Sequence, residues 1–204
     1  MSVTVVTPSS GSLIALQDAK NHLRVPLAVT AFDADIQLKV NAAAAWVEAK
    51  LGRALLPQTW AQTFECFPTR RGCPGALDLF GGPAQSITSI SYIDPNGAPQ
   101  VLAPGQYQAD LAADIPRIAP LAHQPWPTVM RGFGAVTVTY LTGYPAPTVE
   151  DAPANANVPA PIIQAAMLVL GDAWVNREAA LDSRYYTLNA AAENLLWPYR
   201  ILRP

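Results

Sequence analysis

The residues best suited to catalysis are few, and their spacing does not bring them together. The chain has two histidines, His22 and His123, and two cysteines, Cys66 and Cys73. An activated nucleophile needs an adjacent base, and a structural zinc site needs four ligands. His22 lies in a helical pattern and His123 in a proline-rich turn, so we assign neither to catalysis.

Two further stretches contain residue types that are found in functional sites. Asp33 and Asp35 could be a carboxylate pair, but they open a predicted helix, where the macrodipole favours acids. The segment RGFGAV has two glycines, but a strand-like run follows where a phosphate-binding loop would open a helix. We interpret the acids as structural and RGFGAV as a turn. With no Walker A, G-x-S-x-G, H-E-x-x-H or Rossmann motif, the sequence predicts no enzyme, no cofactor and no metal.

Bulk composition excludes other classes of protein. A net charge of −2 with 14% charged residues does not favour general polyanion binding. No apolar run reaches the roughly 18 residues of a membrane span, so we expect no membrane partner. The N-terminal stretch lacks the pattern of a secretion signal, so we expect synthesis in the cytoplasm and two reduced thiols.

The first part of the chain is predicted to be helical. Residues 1–12 form an extended arm, and residues 13–56 form a helix pair. In the first helix three apolar residues share one face: Leu16, Ala19 and Leu23.

The second helix of this pair has a longer apolar stripe. Its members recur at three- and four-residue steps: Ile36, Val40, Ala43, Val47 and Leu51. Thr30 and Asp33 predict a capping box at its start. Gly52 predicts a left-handed stop at its end.

Residues 57–144 are predicted to form an antiparallel β insertion. TWAQTFECF and SITSISYI alternate, the latter with an irregularity between Ile87 and Ile90. DPNG at Asp94 to Gly97 is typical of a turn, and VLAPGQYQADL and RIAP are short strands. In GAVTVTYLTGY one face is apolar: Val136, Val138 and Tyr140. Since no helix intervenes, the strands should pair antiparallel.

The last part of the chain returns to helix. Residues 145–160 are a loop rich in proline and alanine, and residues 161–198 are the C-terminal core helices. The first of these helices should be a central core element. Its predicted inner stripe, widened by Leu168 and Leu170, is Ile162, Ala166, Val169 and Ala173.

The final helix is predicted from Asn189 to Trp197, where Pro198 ends it, and residues 199–204 form a tail. The apolar stripe of the early helix pair needs a partner, and the helix after Pro161 is the best available one. The expected fold class is α+β, with a helical core from the N- and C-terminal segments and an antiparallel β insertion between them.

Several of these stretches together resemble the head–tail connector family of tailed phages. LQDAKNHLRV and AAAAWVEAKLGRALLPQTW resemble its opening helix pair, and SITSISYIDPNG, YQAD, RIAP and AVTVTYLTGY resemble its β insertion. PAPIIQAAMLVLGDAWVNREA and ENLLWPYRILRP resemble its closing helices. The chain departs from the family at Pro26 to Ala28, where members often have an acidic run, and in a long 145–160 loop.

The resemblance implies a structural virion protein of the neck. Members form a homo-oligomeric ring, commonly dodecameric, under the portal protein. The ring extends the DNA channel, touches passing DNA transiently and without sequence preference, and presents a docking platform to the next neck or tail protein. The implied location is the head–tail interface of a phage or gene transfer agent, after assembly in the host cytoplasm.

Two groups of residues are candidates for contacts in such an assembly. The C-terminal segment combines apolar anchors with arginines, and we hypothesise that it docks on the portal: Trp197, Tyr199, Arg200, Ile201, Leu202 and Arg203. Arg70 and Arg71 are placed at a loop tip, where they could touch a phosphate backbone or a neighbour. The other four tryptophans are predicted to pack in cores or interfaces.

Two alternatives remain open at the level of sequence. The first is a tail-completion or other minor virion protein that uses the β insertion for binding. The second is a hydrolase whose titratable groups converge only in the folded chain.

Overall fold

The computed structural model describes residues 2–70, 73–148, 153–176 and 190–201. The chain divides into two compact units, each built from two separate stretches of sequence. The β unit comprises Met1–Ser9 and Pro57–Pro145, and the helical unit comprises Ser10–Leu56 and Ala146–Pro204. The first and last thirds of the chain therefore meet in one helical body, and the predicted α+β class is confirmed.

The helices of the helical unit pack around one central element. Within the described residues they are α1 (Leu16–Leu23), α2 (Asp33–Leu51), α3 (Ala160–Val175) and α4 (Ala190–Leu196). A short 3-10 turn, Trp197–Tyr199, follows α4. Since α3 contacts α1, α2 and α4, it has the central position that its composition predicts.

The predicted stripe of α2 forms a large part of this core. Its five residues are at most 2% exposed: Ile36, Val40, Ala43, Val47 and Leu51. Gly52 ends the helix in the left-handed region, with φ 68°, and its N–H donates to the carbonyl oxygen of Glu48 at 2.8 Å. Both the stripe and the glycine stop are confirmed.

The start of α2 differs from the prediction. Its N-cap is Phe32, and no side chain caps the helix, so the predicted capping box of Thr30 and Asp33 is wrong. The carboxylate of Asp33 instead contacts the buried ammonium of Lys20 on α1 at 2.5 Å. The same Nζ donates to the carbonyl oxygens of Leu27 and Val29, at 3.2 and 2.9 Å. Lys20 therefore organises the loop between α1 and α2.

The buried face of α3 is rotated from the predicted one. Its buried residues are Ile162, Ala165, Ala166 and Leu170. Val169 and Ala173, predicted for the inner stripe, are only half-buried, as is Leu168. A helix that is apolar over most of its circumference does not indicate which side faces the core, since only its partners decide that.

Within its described residues, the β unit contains three sheets, all antiparallel. The central sheet has the order β1-β2-β10-β6-β7, a second sheet has the order β5-β9-β8, and β3 pairs with β4. The strands are β1 (Ser2–Thr7), β2 (Gln58–Phe64), β3 (Thr69–Arg70), β4 (Cys73–Pro74), β5 (Leu77–Asp78), β6 (Ala84–Ile93), β7 (Pro99–Val101), β8 (Tyr107–Asp110), β9 (Arg117–Pro120) and β10 (Val136–Thr142).

Strand β10 lies in the centre of the main sheet, between β2 and β6. The predicted face of Val136, Val138 and Tyr140 is fully buried. Thr139 pairs with Ser89 and Tyr140 with Ile87, so one residue of β6 is bulged between Ile87 and Ile90, as the broken alternation predicts. The segment predicted as an extended arm contributes the edge strand β1, which pairs with β2.

A buried polar network joins this sheet to the chain that precedes β6. The amide of Gln62 is completely buried; it donates to the carbonyl oxygen of Asp78 at 2.9 Å and accepts from the N–H of Phe80 at 3.0 Å. The Tyr140 hydroxyl lies 2.8 Å from the Phe80 carbonyl oxygen. Gly81 continues this segment at φ 74°, and a Cβ there would lie 2.1 Å from the Trp60 ring. Only glycine fits that position.

Candidate assembly surfaces

The titratable side chains of the described residues do not converge on a reactive centre. No group of three or more His, Cys, Asp or Glu within them could hold a metal ion. His22 lies in the helical unit and His123 in the β unit, and both are exposed. Asp35 pairs with Lys39 on the surface of α2, and Cys66 is a free, half-buried thiol.

Two shallow concavities lie side by side on the β unit. The larger, about 470 Å³, is mostly apolar and is lined by Gln108, Ala119, Pro120, Leu121, Ala122, His123, Gln124 and Pro125. The smaller, about 290 Å³, shares Gln108 and Ala119 with it and includes Asp110 and Arg117. These last two form an ion pair at 3.2 Å, with both side chains about half exposed. The chemistry of this cleft suits contact with a side chain better than the binding of a charged metabolite.

The C-terminal segment is fixed to the helical unit at two points. Glu193 of α4 pairs with Lys50 of α2 at 2.6 Å, and the Lys50 ammonium lies 5.3 Å from the centre of the Trp46 ring. Downstream, the backbone N–H of Ile201 donates to the carbonyl oxygen of Leu51 at 3.0 Å. The chain between these anchors is therefore held on the end of α2.

The residues between the two anchors differ in exposure. Trp197 is 66% exposed and Arg200 is exposed, whereas Tyr199 and Ile201 are half-buried. A large aromatic side chain held open on an anchored turn is typical of a binding surface. Of the predicted portal-binding residues, Leu202 and Arg203 lie outside the described part of the chain.

Of the two predicted arginines, only Arg70 lies within the described residues, at the end of a short hairpin. Arg70 is the last residue of β3, and its backbone pairs with Cys73 of β4. Arg71 lies outside the described residues. The role assigned to the two arginines stays a prediction.

The most exposed large apolar side chain of the β unit was missed at the level of sequence. Phe133, in the turn that was predicted to lead into β10, is 96% exposed, and Met130 nearby is 54% exposed. The loop is fixed: the N–H of Met130 donates to the carbonyl oxygen of Ile93 at 3.0 Å, and the N–H of Gly132 to that of Glu65 at 3.4 Å. The sequence did contain one signal for this exposed position: Phe133 stands between two glycines and outside the alternating pattern of the strands.

The outer face of α2 is also almost free of charge. Its exposed residues recur at helical spacing and are small or apolar apart from one asparagine: Ala34, Leu38, Asn41, Ala42, Ala45 and Ala49. Leu38 is 68% exposed. No helix in the described part of the chain is long and apolar enough to cross a membrane.

Comparison with known proteins finds similarity at the level of structure only. No protein-family model matches the chain, and no curated protein matches it. Among solved structures, a chain of the "Virion of native gene transfer agent (GTA) particle" superposes with a TM-score of 0.77 at 20% identity. The alignment covers 100% of this chain and 97% of that one.

Two structures of the neck of such particles give the same result. A chain in the neck of the empty GTA particle, computed with C6 symmetry, has a TM-score of 0.76, and one in the neck of the native particle, computed with C12 symmetry, has 0.73. Identity is 20% in both, over 100% of this chain and 97% of the other. From end to end, the chain therefore has the fold of a protein found in the neck of gene transfer agent particles.

Proposed function

We propose that this protein is a head–tail adaptor, a structural protein of the virion neck. Many copies form a ring under the portal, extend the DNA channel and provide the docking platform for the next neck or tail protein. The observation that carries the proposal is the match over the whole chain to proteins in GTA necks computed with C6 and C12 symmetry. A dodecameric ring fits both symmetries.

The surface chemistry supports an assembly role rather than a catalytic one. Large apolar side chains stand exposed on both units, including Leu38, Phe133 and Trp197. Aromatic side chains are enriched at the cores of interfaces, which suits Phe133 and Trp197 to contacts with other macromolecules. In a closed ring one surface of each copy meets a different surface of the next, so a subunit needs two such surfaces. The uncharged outer face of α2 suits a wall built from helices.

Portal attachment is assigned to the C-terminal segment. Trp197 supplies an exposed aromatic anchor, and Arg200 supplies an exposed cation for the polar rim that surrounds such anchors. The backbone N–H of Ile201 donates a hydrogen bond to the Leu51 carbonyl oxygen, so this part of the segment is already ordered before binding. Preorganisation lowers the entropic cost of docking.

The charge of the protein fits a channel through which DNA must pass. With a net charge of −2, the subunit does not offer the cationic surface that holds phosphates tightly. Any contact by Arg70 and Arg71 is proposed to be transient and independent of sequence. The protein would act in the virion, after assembly in the host cytoplasm.

The test is to mix the purified protein with portal oligomers and to image the mixture by negative-stain electron microscopy. The proposal predicts an added ring, coaxial with the portal, and co-sedimentation of the two proteins. Attachment to tails but not to portals would contradict it and favour a tail-completion protein. Hydrolysis of cell wall or nucleic acid by the purified protein would contradict the non-catalytic role.

A further inference from the structure

We propose that Phe133 of one copy inserts into the Gln108–Pro125 cleft of the next copy, so that the β units are chained around the ring. The cleft is defined by the eight residues that line the larger concavity, from Gln108 to Pro125. The inference rests on the proposed ring, and it identifies which surfaces meet and which partner each one takes.

The first observation is the shape of the donor surface. Phe133 is 96% exposed at the tip of a loop whose backbone is fixed to the ends of two strands, through Ile93 and Glu65. A Cβ added at either flanking glycine, Gly132 or Gly134, would meet nothing within 4 Å. The Phe133 side chain is therefore an exposed apolar knob with free space on both sides, on a loop that two backbone hydrogen bonds hold to the sheet.

The second observation is an acceptor of matching size and chemistry on the same unit. The cleft is open to solvent, mostly apolar and about 470 Å³ in volume. Its apolar lining comes from Ala119, Pro120, Leu121, Ala122 and Pro125. Its shape is fixed by backbone hydrogen bonds from Leu121 N–H to Gln106 and from Gln124 N–H to Leu121.

The third observation is charge. Arg131, two residues before the knob, is exposed and forms no ion pair within the described part of the chain. Asp110 lies in the adjoining concavity, where Arg117 contacts only its Oδ2. A carboxylate can accept hydrogen bonds from two cations. Arg131 of one copy could therefore pair with Asp110 beside the cleft of the next copy.

The fourth observation is position. The knob is tied to the central sheet, through β2 and β6, whereas the cleft lies on the second sheet, at β8 and β9. The two surfaces are therefore distinct, and a contact between them is heterologous. Such contacts repeat from copy to copy and close into a ring when the rotation allows it.

The experiment is directed disulfide trapping in the full chain, with Cys66 and Cys73 replaced by serine. Gly132→Cys places a thiol beside the knob without removing Phe133, and Gln124→Cys places one at the rim of the cleft. In the presence of portal, the double variant should give an oxidation-dependent ladder of several covalently linked copies. Each single variant, and the matched pair Gly132→Cys with Asn96→Cys at an exposed turn of the same unit, should give no ladder beyond a dimer.

A second measurement tests the contribution of the aromatic ring itself. Phe133→Ser should weaken ring formation about 30-fold or more, as expected for an interface hot spot. Val101→Ser, at another exposed apolar position of the β unit, is the matched control and should leave ring formation unchanged. Circular dichroism should show both variants folded.

The outcomes separate this inference from the proposed function. Rings that form normally with Phe133→Ser and give no ladder would overturn the inference and leave the adaptor role intact. A loss of binding to another neck protein, to DNA or to anionic lipid vesicles, with ring formation unchanged, would also overturn it. Absence of any ring or portal complex from the wild-type protein would overturn the proposed function instead.

Discussion

The two units bury their polar groups differently, and the difference indicates what each is built to do. In the helical unit the core is apolar, and its main buried polar group, Lys20, orders a loop at the edge between α1 and α2. In the β unit the side chains of Gln62 and Thr142 are buried in the sheet itself, and they donate hydrogen bonds to backbone carbonyl oxygens of the segment before β6. The helical unit is packed around an apolar core, whereas in the β unit the central sheet holds neighbouring loops through buried hydrogen bonds.

The largest effect of a substitution is expected in the β unit, at Gln62. Gln62→Ala removes the partners of the Asp78 carbonyl and the Phe80 N–H and leaves a cavity between them. Because buried polar groups without partners cost about 1–3 kcal/mol each, the free energy of unfolding should fall by about 3 kcal/mol or more. Urea unfolding measures this.

The control is Gln85→Ala, whose half-buried amide donates to the Gly143 carbonyl oxygen at 3.0 Å. It should cost about 1 kcal/mol or less. Equal losses at both positions would show that the network around Gln62 has no special role in the β unit.

The corresponding position in the helical unit is Lys20. Lys20→Met leaves Asp33 and two loop carbonyls without their partner, which should lower the free energy of unfolding by about 2–3 kcal/mol. Lys39→Met breaks a pair on the surface of α2 and should cost about 0.5 kcal/mol or less. If the Lys20→Met protein were as stable as the wild type, the Lys20–Asp33 ion pair would not contribute to the stability of the helical unit.

An intermediate effect, on binding alone, is expected at Trp197. Trp197→Ala removes an exposed side chain, so stability should stay within about 0.5 kcal/mol while portal affinity falls about 10-fold or more. Val175→Ala, at an exposed position of α3, tests whether the loss is specific to the C-terminal segment. Undiminished portal binding by Trp197→Ala would exclude this residue as an anchor.

The smallest effect is expected at the Asp94 turn of the β unit. The N–H of Ala98 lowers the pKa of the Asp94 carboxyl below 3.8. Desolvation, the next largest effect, opposes this shift, and the N–H of Asn96 and the amide of Gln100 add to the lowering. A lowered pKa in the folded state stabilises the protein above the ordinary pKa, and this contribution is lost as the pH falls through the folded value. Asp94→Ala should therefore lower the melting temperature slightly at neutral pH, with a difference that shrinks below pH 3.8.

The helical unit was largely predictable from sequence, because apolar periodicity and a stop signal act locally. The α2 stripe and Gly52 are where the pattern places them. The α1–α2 loop was not predictable: the pairing of Lys20 with Asp33 depends on how two helices pack, and local sequence favoured a capping box instead. The rotation of α3 was missed for the same reason.

In the β unit the strands were predictable, but their assembly into sheets was not. Alternation identified β10 and the irregularity in β6. No local sequence pattern, however, shows whether the strands form one sheet or three. The exposure of Phe133 was also out of reach, since it depends on where Ile93 and Glu65 hold the loop. Contacts with other copies and with the portal are even harder to predict from the sequence. They lie on surfaces, where the apolar periodicity that marks core residues does not apply.

A reconstruction of purified particle necks would show whether copies of this fold surround the DNA channel beneath the portal. We expect a ring of twelve copies directly below the portal, with the Trp197–Ile201 segment against the portal and Phe133 buried in the adjacent copy. A neck whose ring is made of another protein, or a single copy of this chain placed elsewhere in the particle, would contradict it.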